Sequence, residues 1–164
     1  MLSSRNVDDL AFPAKVRALK FLSEAKLAGI DLLVTCTHRD GEAQHALYTQ
    51  GRTRPGRIVT NADAGDSYHQ YDVALDVVPL RHGKPVWGTR GNGIDDNPSD
   101  DATDDLELWQ RVGAIGEACG LEWAGRWQRG REFPHFQFTG GLSIADFKAG
   151  RTIPERLWMP QKSA

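Results

Sequence analysis

The chain has 164 residues, of which 40% are hydrophobic and 26% charged, with a formal net charge of −2. That length and balance suit one globular domain with its own core, expected to span 1–164 as a monomer without a separate binding domain. The slight acidity excludes the bulk basic character that nucleic acid selects, and no apolar run approaches the ~20 residues needed to cross a bilayer.

Phe12, Val16, Leu19 and Leu22 recur at helical spacing, with Ala25 following. Pro13 suits a first turn and Gly29 a stop, so an amphipathic helix with that apolar stripe is expected. Ile30 to Cys36 reads as a buried strand. The loop Thr37-His38-Arg39-Asp40 follows, and Asp40 is placed to cap a helix from Gly41 to Gln50 that ends at Gly51. Arg52 to Asp66 reads as a long mobile loop. Its arginines Arg52, Arg54 and Arg57 either meet an acidic peptide or are simply solvated. Val73 to Val78 reads as a central strand ended by Pro79, and Arg81-His82-Gly83-Lys84 as a turn with His82 exposed. Gly88 to Asp105 reads as an irregular connection whose five aspartates at 95, 96, 100, 101 and 104 are solvated, since no calcium-loop spacing is present. Leu108, Val112, Ile115 and Cys119 give a second helix closed by Gly120. Phe136 to Phe138 alternates like a strand, Ser143 to Asp146 forms a capping box, and the tail from Pro154 is expected to be loosely held. Cys36 and Cys119 read as free thiols in apolar surroundings.

Two stretches far apart in sequence carry the candidate chemistry. Ser67 to Asp76 holds His69 and Asp76, seven residues apart; Glu132 to Gln137 holds a second imidazole, His135, and a spare carboxylate. His69, Asp76 and His135 offer an N, O, N set, which leaves a fourth position for water as catalytic zinc does. Water so bound ionises near pH ~7. Glu132 lies just ahead of a ligand histidine and is the candidate acid–base catalyst; Pro134 stiffens the connection. The competing reading is a polar turn, because neither C-x-x-C nor H-E-x-x-H is present. His38 and His45 read as polar surface or as supports rather than ligands.

Ser67-x-His69 followed by Ala74-x-Asp76 resembles the first signature of the M15 zinc peptidases, and Glu132-x-x-His135 resembles the second. Thr37 to Asp40, Leu47 to Thr53, Trp123 to Trp127 and Pro134 to Gln137 are similar to the L-alanyl-D-glutamate endopeptidase branch, which includes phage endolysins. The resemblance runs from about Leu19 to Ile153 in the family's order. It implies an α+β fold, the D-alanyl-D-alanine carboxypeptidase and hedgehog-like zinc peptidase fold, with a small, mainly antiparallel sheet and flanking helices.

It also implies Zn2+ on His69, Asp76 and His135, with Glu132 and Arg39 catalytic. Arg39 by residue type alone reads as a surface charge; the resemblance makes it a contact for substrate or the developing oxyanion. Ser67, Gln44 and Trp127 become substrate-binding, although Ser67 by itself reads as turn support and Trp127 as a core aromatic. The implied partner is the peptidoglycan stem peptide, with D-alanyl-D-alanine cleavage or a non-catalytic wall-binding module as alternatives. Met1 to Asp9 lacks a signal-peptide pattern, so synthesis in a host cytoplasm is expected, with delivery to the wall after release, by way of a holin. One position departs from the family: Asp72 stands where the signature has glycine. If the stretch were a strand, Asp72 would point to the same side as Asp76 and bring a third carboxylate towards the metal.

Overall fold

The computed structural model describes residues 2–88 and 104–159. Four helices and five strands follow in the order α1 (Phe12–Leu27), β1 (Asp31–Cys36), α2 (Gly41–Thr49), β2 (Ala74–Arg81), β3 (Lys84–Pro85), α3 (Asp104–Ala118), β4 (Glu122–Trp123), β5 (His135–Gln137) and α4 (Ile144–Lys148). The strands form one antiparallel sheet in the order β1-β2-β5-β4, with β3 pairing the far end of β2. The α+β architecture is the one expected.

Strand alternation separates the two faces of this sheet. Leu75 and Val77 of β2, Phe136 of β5 and Trp123 of β4 join a buried core with Phe21 of α1 and with Trp109 and Val112 of α3. Phe21 and Phe136 pack with ring centroids 4.7 Å apart and their planes tilted by 40°. Helix α3 comes unusually close to the sheet: a Cβ on Gly113 would lie 2.1 Å from the Trp123 ring, and one on Gly116 2.4 Å from Phe136. The opposite face presents Asp76 beside His135, and Gln137 beside Glu122.

Several local expectations need correction. Helix α1 has the expected span, but it buries Ala14, Ala18, Phe21 and Ala25, while Phe12 and Leu19 are about half exposed. Small alanines let the helix approach the sheet, and the bulkier stripe is displaced to its flank. There Phe12 meets Trp158 at 5.7 Å. That contact also overturns the loose tail: Arg17 donates to the carbonyls of Leu157 and Trp158, so the chain through Trp158 packs across α1. Strand β1 is a half-exposed edge rather than a buried strand. Pro79 does not end β2, which continues to Arg81. Proline is tolerated there because it falls between the stretch paired with β5 and the stretch paired with β3, where the ladder is interrupted.

Arg52 does not reach outward. It donates to the carbonyls of Tyr48 and Thr60 and to Asn61, lies over the Tyr48 ring, and so ties the loop to α2. The acidic connection is helical from Asp104 onward, and Asp105 is buried against Arg81 at 2.8 Å. The aspartates at 95, 96, 100 and 101 lie outside the described residues. As expected, Asp40 caps α2, Ser143 and Asp146 form a capping box, and His82 and Gly83 turn the hairpin with positive φ.

Candidate active site

Ser67 opens a short turn of 3-10 helix, Tyr68–Tyr71, that carries His69 to the edge of the sheet's open face. The turn closes at Asp72, whose φ of 58° and ψ of 26° are left-handed. Glycine suits that conformation, and aspartate tolerates it better than most residues. Asp72 is therefore not part of β2, and its carboxylate does not point with Asp76. It turns to His38, with Oδ1 2.6 Å from Nδ1.

Residues from four elements meet beside Asp76. Nε2 of His69 and Nδ1 of His135 each lie 3.1 Å from Oδ1 of Asp76. The outward nitrogen of each ring is already engaged. Nδ1 of His69 is 3.1 Å from the Thr37 carbonyl, which can only accept, so that nitrogen carries a hydrogen. Nε2 of His135 is 3.0 Å from Oε1 of Gln137. The amide of Gln137 is oriented in turn, because its nitrogen donates to Oε2 of Glu122 at 3.0 Å and a carboxylate cannot donate. Both rings thus have their second nitrogens turned inward on Asp76. By donor type and by the outer hydrogen bonds that fix each tautomer, that set suits a zinc ion; the donors whose atoms all lie within 4.8 Å of one another are those of Cys36, His69 and Asp76.

Charge supports the same arrangement. Burial disfavours a proton on His69, but the Asp76 carboxylate outweighs it and the imidazole is pushed up to about 10. Burial works to raise Asp76, yet the two histidines hold it well below the usual carboxylate range. Without metal, the inward nitrogen of His69 therefore holds a proton, which a cation would replace.

A cavity of about 560 Å³ opens over this cluster, lined among others by Arg39, Ser67, His69, Trp127, Glu132 and His135. Partial burial facing the cavity pushes the Glu132 carboxyl above its ordinary range; His135 opposes this and Asp76 adds to it. The backbone N–H of Glu132 donates to Ala124, and the carbonyls of Phe133 and Pro134 accept from Trp123 and Val77, so the chain into His135 is anchored. Arg39 sits with Nη2 3.9 Å from Oδ2 of Asp76. Gln44 is fully buried and does not line the cavity; it accepts from Arg39 at 3.0 Å and donates to the Ala62 carbonyl. Trp127 stands with its ring 5.8 Å from that of His135 and donates to Glu122 at 2.8 Å.

Three participants had no assigned role in the sequence reading: Gln137, Glu122 and Cys36. Gln137 carried a signal, since its two-residue spacing from His135 on a strand places both on one face. Cys36 is buried and free as expected, but its surroundings are not apolar. Its sulfur lies within 4.8 Å of ligand atoms of His69 and Asp76.

Residues 60–138 match a family model of the M15 peptidases described as D-alanyl-D-alanine carboxypeptidase. The chain is 36% identical over 110 residues to the peptidoglycan L-alanyl-D-glutamate endopeptidase CwlK of Bacillus subtilis, covering 66% of this chain and 61% of the relative. It is 30% identical over 137 residues to the L-alanyl-D-glutamate peptidase of Listeria phage A118, covering 83% of this chain and 40% of that one. The chain thus spans less than two thirds of the length of either relative. Two solved structures share its fold. The L-Ala D-Glu endopeptidase ChiX of Serratia marcescens gives a TM-score of 0.55 at 18% identity, covering 85% of this chain and 90% of that one. The LD-carboxypeptidase LdcB gives 0.54 at 17% identity, covering 91% and 68%.

Proposed function

We propose that this chain, which belongs to the M15 peptidase family, is a zinc-dependent peptidoglycan endopeptidase that cleaves the L-alanyl-D-glutamate bond of the stem peptide. The observation that carries the reading is the inward turn of His69 Nε2 and His135 Nδ1 on one oxygen of Asp76. His69, Asp76 and His135 would hold the metal. Bound there, zinc supplies Lewis acidity to the scissile carbonyl and lowers the pKa of the attacking water.

The remaining work falls to the chain's own groups. Glu132 lines the cavity with a raised carboxyl, which suits it to take a proton from the attacking water and pass it to the leaving amine. Arg39 lines the same cavity; Gln44 holds its guanidinium, so it is preorganised to donate to the oxyanion that develops on the carbonyl. Arg39 and Arg129 stand in a lining that also holds Asp66, Asp76 and Glu132, and their guanidinium groups can meet the carboxylates of an acidic, glutamate-containing peptide. Ser67 and Trp127 form walls against which the peptide lies. In this reading the enzyme is a phage or prophage endolysin that meets the wall after a holin opens the membrane; the phage relative supports that assignment. No helix among the described residues is long and apolar enough to cross a membrane.

D-alanyl-D-alanine cleavage is the second reading, favoured by the description of the matching family model. A non-catalytic module loses its ground, because Asp72 is paired with His38 rather than crowding the ligand set. Mass spectrometry of purified peptidoglycan digested with and without chelator decides between them. Chelator-sensitive peptides beginning at D-glutamate support the endopeptidase, whereas release of free D-alanine supports the second reading. Intact wall despite bound zinc would overturn both.

A further inference from the structure

We infer that Cys36 is a fourth protein ligand to the metal and closes the site in a resting state. The inference rests on the zinc reading above. Val34 of β1 stands opposite Val77, on the face packed against the helices. In a regular strand, Cys36 two residues on would return to that face. It does not, because the register shifts between Val34 and Cys36 and leaves Thr35 as the extra residue of a bulge. Cys36 then stands opposite Asp76, which in turn stands opposite His135. Bulges re-aim side chains in this way beside active sites.

The sulfur is almost fully buried, at 2% exposure, yet lies outside the apolar core that includes Cys119. Its Sγ is within 4.8 Å of ligand atoms of both His69 and Asp76. Its hydrogen-bond neighbours on the other side are distant: the His38 carbonyl at 3.8 Å and Ser3 Oγ at 4.0 Å. An ion drawn to Asp76 and His69 therefore has a soft donor at hand on their side, while His135 Nδ1 reaches Asp76 Oδ1 from outside that group.

Four protein ligands are the pattern of a structural zinc site, whereas a catalytic site keeps one position open. On ligation the thiol gives its proton to solvent, and a sulfur–metal bond replaces a water–metal bond. The ion would then be held tightly but inactive until substrate binding displaces the sulfur, which would regain a proton from solvent and return its position to the attacking water. Removing the thiol should speed zinc transfer to a chelator by at least the ~10-fold that loss of an outer-shell partner costs.

The test is the absorption spectrum of the cobalt-loaded full chain. Cysteines occur only at 36 and 119, so in Cys119→Ser any thiolate-to-cobalt charge-transfer band arises from Cys36. The expected result is that band in the wild type and in Cys119→Ser, and its loss in Cys36→Ser and Cys36→Ala with the visible d–d bands retained. Bands of d–d type without charge transfer in Cys119→Ser would overturn the inference and leave the zinc reading standing. Absence of both kinds of band would overturn the zinc reading and this inference together. The spectrum of Cys119→Ser decides even if the Cys36 variants do not fold.

Discussion

The side-chain oxygen of Gln137 stands 3.0 Å from Nε2 of His135, two residues back along the same strand. This contact, with Glu122 behind it, sets which ring nitrogen of His135 faces Asp76. Gln137→Met keeps the volume and removes the acceptor. Zinc affinity should fall ~10–100-fold, as for loss of other outer-shell partners of ligand histidines. Competition with a fluorescent chelator measures it; unchanged affinity would mean that the tautomer is set elsewhere.

Glu132→Gln removes the group that takes and returns the proton while keeping its shape. Turnover should drop by ~10²–10⁴-fold, and zinc stoichiometry should stay at that of the wild type, because Glu132 is outside the proposed ligand set. Single-turnover digestion and metal analysis on the same preparation read both quantities. Retained turnover would remove Glu132 from the mechanism.

Asp72 holds a left-handed backbone and pairs with His38, partly exposed to solvent. Asp72→Gly relieves the backbone and loses a weak ion pair worth ~0–1 kcal/mol, so stability should stay within about 1 kcal/mol of wild type. Asp72→Ala loses the same pair and adds the ~1–2 kcal/mol cost of a left-handed alanine. Urea denaturation should rank glycine above alanine, and zinc affinity should be unchanged in both. Tighter zinc binding in Asp72→Gly would restore the aspartate to the metal's surroundings.

The metal-free chain should lose stability as pH rises. His69 is pushed up to about 10, above its unfolded value, so its contribution is complete below pH ~6.5 and fades as pH climbs towards about 10. Asp76 is depressed, so its contribution is present above pH ~4 and lost only on strong acidification. The denaturation midpoint after chelation should therefore be higher near pH ~6 than near pH ~9, and the difference should shrink in His69→Gln. In the proposed site zinc would replace the His69 proton, so loading should raise the midpoint most at the alkaline end.

Gly116→Ala places a methyl 2.4 Å from the Phe136 ring. Overpacking of this kind costs ~1–3 kcal/mol. Phe136 lies between His135 and Gln137, so the strain should also weaken zinc binding. Thermal unfolding and the chelator assay together check this; an unchanged melting temperature would mean that α3 can slide away from the sheet.

The sequence by itself determined the elements and the kinds of donor. Helical spacing placed α1 and α3, Asp40 and Ser143 marked helix starts, and the two histidine stretches supplied the donor types now found beside one another. These features are local, and backbone geometry expresses them directly. Tertiary structure decided which face of α1 is buried, because close approach to the sheet favours alanine over the bulkier stripe. It also decided what Asp72 touches and where the Arg52 guanidinium goes, since both depend on partners distant in sequence. Cys36 is the sharpest case. Alternation along β1 assigns it to the core, and one bulged residue moves it to the side of His69 and Asp76, because cross-strand register sets which face a side chain takes.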